Sequence, residues 1–574
     1  MRSPVNLQDH ARLSLRFFNA SIDRKRQGLP YFWIDFLLNP PQFAHEMAFD
    51  DIENLGRWLY GIACAQRLTG QDDAEETRQI MLREIDRRLA GPYGFPYTSQ
   101  YTTERMTRGR YSWLWGNRAV LEGWVQCWRN AATEEERAQL ASRINRMVDG
   151  LTDFSVLKAP YRFFPTYDPP LDWTKPKDIR TPETADPSAW NQFYADSSKE
   201  PINCCPLPAD SLGGMIWPLV EWYELTGNAR AMDLAVGLSN TVVHYHPLRA
   251  NTVAPIGCFS NIHGVANAMA GVLACHRHIP NPRHLIWAET LFEYFLNRCA
   301  SSFGWVTEYE CESPDRPTQR ASAEGCAVVD LVRVGIELGR LNFVHGWDVA
   351  ERFARNYLTQ AQIRDLRQFT VPEGIVINHP GRQAVNAVPA AHRDSEEIWQ
   401  RAIGAMAGWG APNDILDPQG RLAMCIQNCC SGHLPLGLLH VWEYAVTRRG
   451  DTLRVNLLLS QDGPLARTID HQPACGLLEI IPKFASKLAV RLPDWVNDAN
   501  VHATVDNQPV HLTWTAHDRY VQLPQVPANS MVRLDYPLRD CSFTHRLGGA
   551  LYTTTWRGDT VMQITPAGTF IPIF

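Results

Sequence analysis

Two hydrophobic periods divide this chain, and the point where one gives way to the other limits its fold more than any other feature. From about residue 49 to 447 apolar residues recur at helical spacing. Ile52, Leu55, Leu59, Ile62 and Ala63 mark one buried face, which stops at Leu68-Thr69-Gly70. The same ending returns at Leu225-Thr226-Gly227, after Ile216, Leu219, Val220 and Tyr223. The pattern predicts about ten to twelve helices, starting near residues 49, 74, 118, 134, 210, 229, 262, 282, 324, 347, 395 and 436. They pair as helical hairpins, and the pattern alone does not choose between a solenoid and a closed ring. From Asp451 the period drops to two. Leu453, Val455, Leu457 and Leu459 alternate, then Leu488, Val490 and Leu492, then Val501 to Val505; Tyr520 to Leu523, Val532 to Tyr536 and Thr560 to Ile564 follow. Short alternating strands punctuated by turns such as Asp506-Asn507-Gln508-Pro509 predict a β-sandwich. An all-helical domain over 1–447 followed by an all-β domain over 448–574 is therefore expected.

Composition removes several classes. The hydrophobic share is 45% and the charged share 20% of 574 residues, so the chain has material for a large core. No apolar run reaches the roughly 18 residues of a membrane span, and the first residues lack a signal-peptide pattern. A cytoplasmic protein without a membrane partner is expected. The formal net charge of -6 offers nucleic acid no attraction and favours a neutral or mildly polar ligand. Nineteen tryptophans either fill the space between helices or line a sugar cleft. Between residues 165 and 211 nine prolines interrupt the helical pattern, which predicts a rim or lid over a pocket.

Fourteen cysteines are too sparse in a chain this long for a disulfide scaffold. Two adjacent pairs, Cys204-Cys205 and Cys429-Cys430, are better read as free thiols or metal ligands. In Ser322-Ala323-Glu324-Gly325-Cys326-Ala327, Ser322 is placed as a helix N-cap before the buried stripe Val328, Leu331, Val332 and Ile336. In Cys429-Cys430-Ser431-Gly432-His433-Leu434-Pro435 the proline is placed to start a second helix. Thiols just ahead of helix N-termini ionise more easily, and the thiolate is the form that binds metal or attacks carbon. One carboxylate and three thiolates suit tetrahedral zinc, although buried cysteine is also a common apolar filler and spacing alone does not select a cysteine pair.

Glu324-Gly325-Cys326-Ala327, followed about a hundred residues later by Asn428-Cys429-Cys430-Ser431-Gly432, resembles the zinc-thiolate site of the β-L-arabinofuranosidases of glycoside hydrolase family 127. Further matches, in family order, are Phe303-Gly304-Trp305-Val306-Thr307-Glu308, Trp442-Glu443-Tyr444, Leu453-Arg454-Val455-Asn456-Leu457, Ala489-Val490-Arg491-Leu492-Pro493-Asp494-Trp495 and Trp556-Arg557-Gly558-Asp559-Thr560-Val561. The chain departs from the family's Glu-Thr-Cys with Glu-Gly-Cys and from its Cys-Cys-Pro-Pro-Asn with Cys-Cys-Ser-Gly-His, which marks a divergent branch.

The resemblance implies an (α/α)6 barrel followed by β-sandwich material, with Glu324, Cys326, Cys429 and Cys430 holding Zn2+. It implies Cys429 as nucleophile, Glu308 as acid/base ahead of Glu310 and Glu312, and His263 as a substrate contact in a pocket for a small carbohydrate. The family's other histidines have no evident counterpart, because Gly116-Asn117-Arg118 and Ala209-Asp210-Ser211 stand where they would fall. A sugar epimerase or isomerase is the competing enzyme, and a carbohydrate-binding protein with structural zinc the non-catalytic alternative. Self-association through the β-domain is a further expectation.

Overall fold

A computed structural model of the chain describes residues 4–36, 38–45, 51–90, 93–96, 114–163, 213–245, 261–308, 323–365, 388–416, 425–497, 500–515 and 518–574. The proline-rich stretch 165–211, Cys204-Cys205, Ala209-Asp210-Ser211, Ser322, Glu310 and Glu312 lie outside these residues.

Among the described residues, twelve helices have ten residues or more: α1 (Leu7–Ala20), α2 (Asp51–Thr69), α3 (Glu75–Arg88), α4 (Leu114–Asn130), α5 (Glu134–Phe154), α6 (Ile216–Thr226), α7 (Ala229–Tyr245), α8 (Ile262–His278), α9 (Pro282–Arg298), α10 (Gly325–Arg340), α11 (Val344–Phe353) and α12 (Asn428–Ala445). Ten of their starts lie near the predicted positions. Gly70 and Gly227 take left-handed φ of 68° and 73°, which lets the chain leave α2 and α6 sharply. The helix expected near residue 395 is only the four-residue turn Ile398–Arg401. Conversely, α1 lies ahead of the stretch read as helical. Asn6 caps it, its side chain accepting from the Gln8 and Asp9 N–H groups.

Contacts between α2 and α4, α4 and α6, α6 and α8, α8 and α10, α10 and α12, and α12 and α2 close a cycle of six helices. Helices α4, α8 and α10 are buried on every side over most of their length, as a helix surrounded by others must be. The more polar α3, α5, α7, α9 and α11 each lean on the cycle member that precedes them, and α1 touches both α2 and α12. Trp58, Trp124, Trp222, Trp287 and Trp305 are fully buried, so core filling accounts for these five.

The first region is not all-helical as expected: a four-stranded sheet of Arg393–Asp394, Gln42–Ala44, Trp33–Asp35 and Cys425–Gln427 packs into it, pairing segments too short to show a period of two. After α12 the described elements are strands. A five-stranded sheet holds Val446–Arg449, Thr452–Val455, Ser486–Arg491, Tyr520–Val526 and Thr513–Thr515. A six-stranded sheet holds Gln461–Asp462, Ala466–Asp470, Leu477–Pro482, Val532–Asp535, His502–Val505 and Gln508–Pro509. Their inward residues, among them Leu453, Leu488, Val490, Leu478 and Leu534, share one core. The predicted turn is a two-residue hairpin in which Asp506 and Asn507 take φ of 50° and 67°. A third sheet, Asp540–Leu547, Ala550–Arg557 and Thr560–Thr565, instead places Tyr552, Trp556 and Val561 in the core of the helices.

A buried ion network joins the two regions. Arg491 donates to Asp348 and Glu351 of α11, and Arg355 to Glu351 and, at 2.6 Å, to Asp470.

Candidate metal and active site

Five members of the helical cycle bring their first turns to one place. Glu324 is the N-cap of α10, in a two-residue strand paired with Trp409–Gly410, and Cys326 is the second residue of the helix. Helix α12 begins at Asn428, so Cys429 and Cys430 are its second and third residues and Pro435 lies inside it. The thiols expected to precede this helix are within its first turn. Proline is tolerated at the start of a helix, but here hydrogen bonding of the Asn428 N–H to Phe32 O starts the helix two turns earlier.

The three sulfurs converge. Cys326 Sγ lies 3.4 Å from Cys430 Sγ, and Cys429 Sγ 4.0 Å from Cys430 Sγ. A tetrahedral ion with metal–sulfur bonds of about 2.3 Å holds its sulfurs about 3.8 Å apart, so this spacing fits a thiolate-bound metal. A Glu324 carboxylate oxygen, a His263 ring nitrogen and Cys326 Sγ lie within 4.8 Å of one another and form an adjoining group. Asn261 Nδ2 donates to Glu324 Oε2 at 3.1 Å, which aims that carboxylate.

The thiols do not share a proton equally. Against the cost of burial, hydrogen bonds from Cys429 and Cys430 and the charge of Arg57 hold the Cys326 thiol well below its usual range. The same bond to Cys326, then one to Cys430 and burial, push Cys429 up. Burial and the neighbouring Cys326 and Glu308 charges push the Glu324 carboxyl up. Four acidic groups packed this closely require positive charge, and Arg57 supplies part of it.

Arg57, on α2, is buried. It donates through Nη1 to Cys326 Sγ at 3.2 Å and to the Cys429 carbonyl at 3.3 Å, through Nε to Glu53 at 2.7 Å, and through Nη2 to His263 Nε2 at 2.7 Å. Arg118 of α4 donates to the same Glu53 oxygen at 2.9 Å and stacks on Trp115, 3.5 Å from the ring centroid. Despite burial, the two guanidinium groups hold the Glu53 carboxyl below the usual carboxylate range.

Because guanidinium nitrogens only donate, His263 Nε2 is an acceptor and its proton sits on Nδ1, which donates to Asp330. The other Asp330 oxygen receives His433 Nε2 at 3.0 Å and Arg333 at 2.9 Å, and Tyr60 donates to His433 Nδ1 at 2.7 Å. Burial pulls the pKa of His433 down to about 4, which keeps the ring neutral and lets Nδ1 accept from Tyr60. Both nitrogens of His263, expected to contact substrate, are taken by protein groups.

Glu308 is partly exposed. Its carbonyl accepts the Ile262 N–H at 2.9 Å, which places it at the start of α8 beside His263, and Thr307 bridges to Ala323 next to Glu324.

Glu53, Arg57, Asp330 and His433 were not among the residues singled out from sequence. Their signal was i,i+4 spacing: Asp330 follows Cys326 by four residues, His433 follows Cys429 by four, and Arg57 follows Glu53 by four, so each pair shares a helix face.

The departures from the family pattern have local causes. A Cβ on Gly325 would lie 2.6 Å from the Ala407 carbonyl and 3.0 Å from Cys430 Cβ, and one on Gly432 would lie 2.9 Å from Arg57 Cβ. Ser431 Oγ accepts the Met406 N–H at 3.0 Å and donates to Asn428 at 3.2 Å.

Comparison with solved structures gives the chain the fold of glycoside hydrolase family 127, at a wide sequence distance. A GH127 β-L-arabinofuranosidase from Geobacillus stearothermophilus T6 matches 96% of this chain and 80% of its own, with TM-score 0.59 and 14% identity. A second GH127 β-arabinofuranosidase matches 96% and 78%, with TM-score 0.55 and 12% identity. A third structure, described as a glycoside hydrolase, matches 94% and 84%, with TM-score 0.54 and 12% identity. No protein-family profile and no curated protein sequence matches the chain. Among the described residues, no helix is long and apolar enough to cross a membrane.

Proposed function

We propose that this protein is a retaining, exo-acting glycoside hydrolase of β-L-arabinofuranosidase type, working on a small neutral glycoside. The observation that carries the proposal is the triad Cys326, Cys429 and Cys430, gathered at the first turns of two helices in a fold of this class. The closed cycle of six helices, each with an outer partner, supports an (α/α)6 barrel over 1–447, with β-sandwich material over 448–574.

Cys326, Cys429, Cys430 and Glu324 would hold Zn2+. When bound, it would keep the thiols ionised at neutral pH. Glu308 protonates the leaving glycosidic oxygen while the Cys429 sulfur attacks the anomeric carbon and forms a glycosyl–sulfur bond. Glu308, now a carboxylate, takes a proton from water, and that water displaces the sulfur with a second inversion, so configuration is retained. Arg57 and His263 hold the thiol cluster and its carboxylates in register. Cys326, Cys429 and Cys430 form no disulfide, as the mechanism needs.

The test is metal analysis of the purified protein with a screen of p-nitrophenyl furanosides and pyranosides. Zinc near one per chain with release of free monosaccharide is expected. A metal-free active preparation refutes the mechanism. Interconversion of free sugars without glycoside cleavage makes the protein an epimerase or isomerase instead.

A further inference from the structure

Two residues ahead of Cys429, one side chain touches its sulfur and still has a polar end to spare. Gln427 closes the strand Cys425–Gln427 and is the N-cap of α12. Its backbone is held from both sides. Trp33 pairs with it in the sheet, and Gly408 packs so near that a Cβ there would lie 3.0 Å from Gln427 Cβ. An N-cap side chain ordinarily accepts an N–H of the first turn, yet the Gln427 carboxamide makes no capping bond. It turns to the thiol instead: Cys429 Sγ donates to Gln427 Oε1 at 3.8 Å. Gln427 is partly exposed, and among the described residues its Nε2 has no hydrogen-bond partner.

The chemistry at Cys429 limits what can meet that free end. In a near-attack geometry the anomeric carbon lies about 3–3.5 Å from the attacking sulfur, so the carboxamide and the sugar ring share the first layer of space around Sγ. Two ring atoms flank the anomeric carbon: the ring oxygen, and carbon 2 with its hydroxyl. An N–H on the ring oxygen would oppose the positive charge that grows there in an oxocarbenium-like transition state, whereas hydrogen bonds to the 2-hydroxyl strengthen in it. The hydroxyl suits either orientation of the amide, since it accepts from Nε2 or donates to Oε1. Glutamine makes this contact without adding charge beside Glu324 and the three thiols.

We infer that Gln427 selects for a free hydroxyl at carbon 2 of the sugar and binds it most tightly as Cys429 attacks. The inference rests on the reading of Cys429 as a glycosidase nucleophile. It narrows the substrates of that reaction to glycosides with an unmodified 2-hydroxyl and disfavours 2-deoxy and 2-O-substituted sugars.

The experiment compares kcat/KM for a p-nitrophenyl glycoside that the parent cleaves with that for its 2-deoxy analogue, in the parent, Gln427→Met and Gln427→Ala. The 3-deoxy analogue is the control. Comparing these ratios between proteins cancels the intrinsic reactivity of each substrate and any general damage to the thiol site. The preference for the 2-hydroxyl substrate should fall about tenfold or more in both variants, mainly through kcat, with the preference over the 3-deoxy analogue unchanged. Methionine keeps the length of glutamine without its amide, so Gln427→Met decides alone if circular dichroism shows that Gln427→Ala is misfolded. An unchanged 2-hydroxyl preference in a folded variant overturns the inference and leaves the glycosidase reading standing. A parent that cleaves no glycoside overturns that reading and the inference with it.

Discussion

Restoring the family's residue at position 325 should harm this protein. Gly325 opens α10 between the Ala407 carbonyl and Cys430, and the Cβ of Gly325→Thr would come within 2.6 Å of that oxygen. Ordinary contact begins near 3.4 Å, so about 0.8 Å of movement is required. The carbonyl belongs to backbone and cannot swing aside: the Ala407 N–H is bound to Ala361 O, and the neighbouring Gly408 O accepts the Gly325 N–H. The remaining route is to push Cys430 and the start of α12 away. Overpacking of this kind costs about 1–3 kcal/mol, against a gain of up to about 1 kcal/mol from removing a flexible glycine in the unfolded chain. A net loss of about 1–2 kcal/mol in urea-unfolding free energy is expected. The metal should be affected more, because ligand distances tolerate only about 0.2 Å. Zinc should leave Gly325→Thr at chelator concentrations at least about tenfold lower than for the parent. Gly463→Ala, which meets nothing within 3.5 Å, is the control. If Gly325→Thr retains zinc as tightly as the parent and unfolds at the same urea concentration, the packing argument is wrong.

Cys429→Ser should abolish turnover with every substrate, whereas Glu308→Gln should lose about 10²- to 10⁴-fold and recover with azide on a p-nitrophenyl glycoside; a parent-like Glu308→Gln refutes the acid/base assignment. Chelation should lower the melting temperature. Cys430→Ala should weaken zinc binding and Cys204→Ala should not, as atomic absorption after dialysis will measure. Arg491→Met leaves Glu351 and Asp348 short of a buried partner and should cost about 3–5 kcal/mol, read by urea denaturation; a loss under about 1 kcal/mol contradicts the network. Burial lowers the pKa of His10 to about 4, against about 6.5 when unfolded. Between these values the unfolded chain binds more protons, so stability is full above pH 6.5 and falls as pH drops toward 4. His10→Gln should flatten that fall, and an unchanged pH profile counts against a buried neutral His10.

Periodicity carried much of the fold. The stripes at Ile52 to Ala63 and Val328 to Ile336 are buried faces of α2 and α10, and the Leu453, Leu488 and Val532 segments are strands. Closure of the helices was not legible, because it rests on pairings such as α12 with α2 that no local pattern encodes. Helix α1 fell outside the stretch read as periodic, although Asn6 and the apolar Leu7, Ala11, Leu15 and Phe18 were there to be read. At the site, the cysteines were legible because a thiol pair is a rare signal. Arg57 was not, because an arginine on an amphipathic helix is ordinarily solvated, and only the packing of α8, α10 and α12 around it makes it a buried counter-charge.

The position of α1 bears on the order in which the molecule assembles. This helix precedes the other described elements in the chain, yet it packs against α12, its His10 bonds to Gln362 at 2.7 Å, and the strand Trp33–Asp35 just after it pairs with Cys425–Gln427. Helix α2 can cover part of α1 early, but Gln362 lies 352 residues beyond His10 and α12 further still, so the rest of the apolar face of α1 waits unburied during translation. The ring therefore closes by contacts of very high sequence separation, a slow step that exposes the chain to aggregation. The thiol triad depends on the same event, since Cys429 and Cys430 meet Cys326 and Arg57 only when α12 docks. Metal uptake would then report completion of folding, and a chain truncated before α12 should partition to aggregate, with Cys326 accessible to alkylation in what stays in solution.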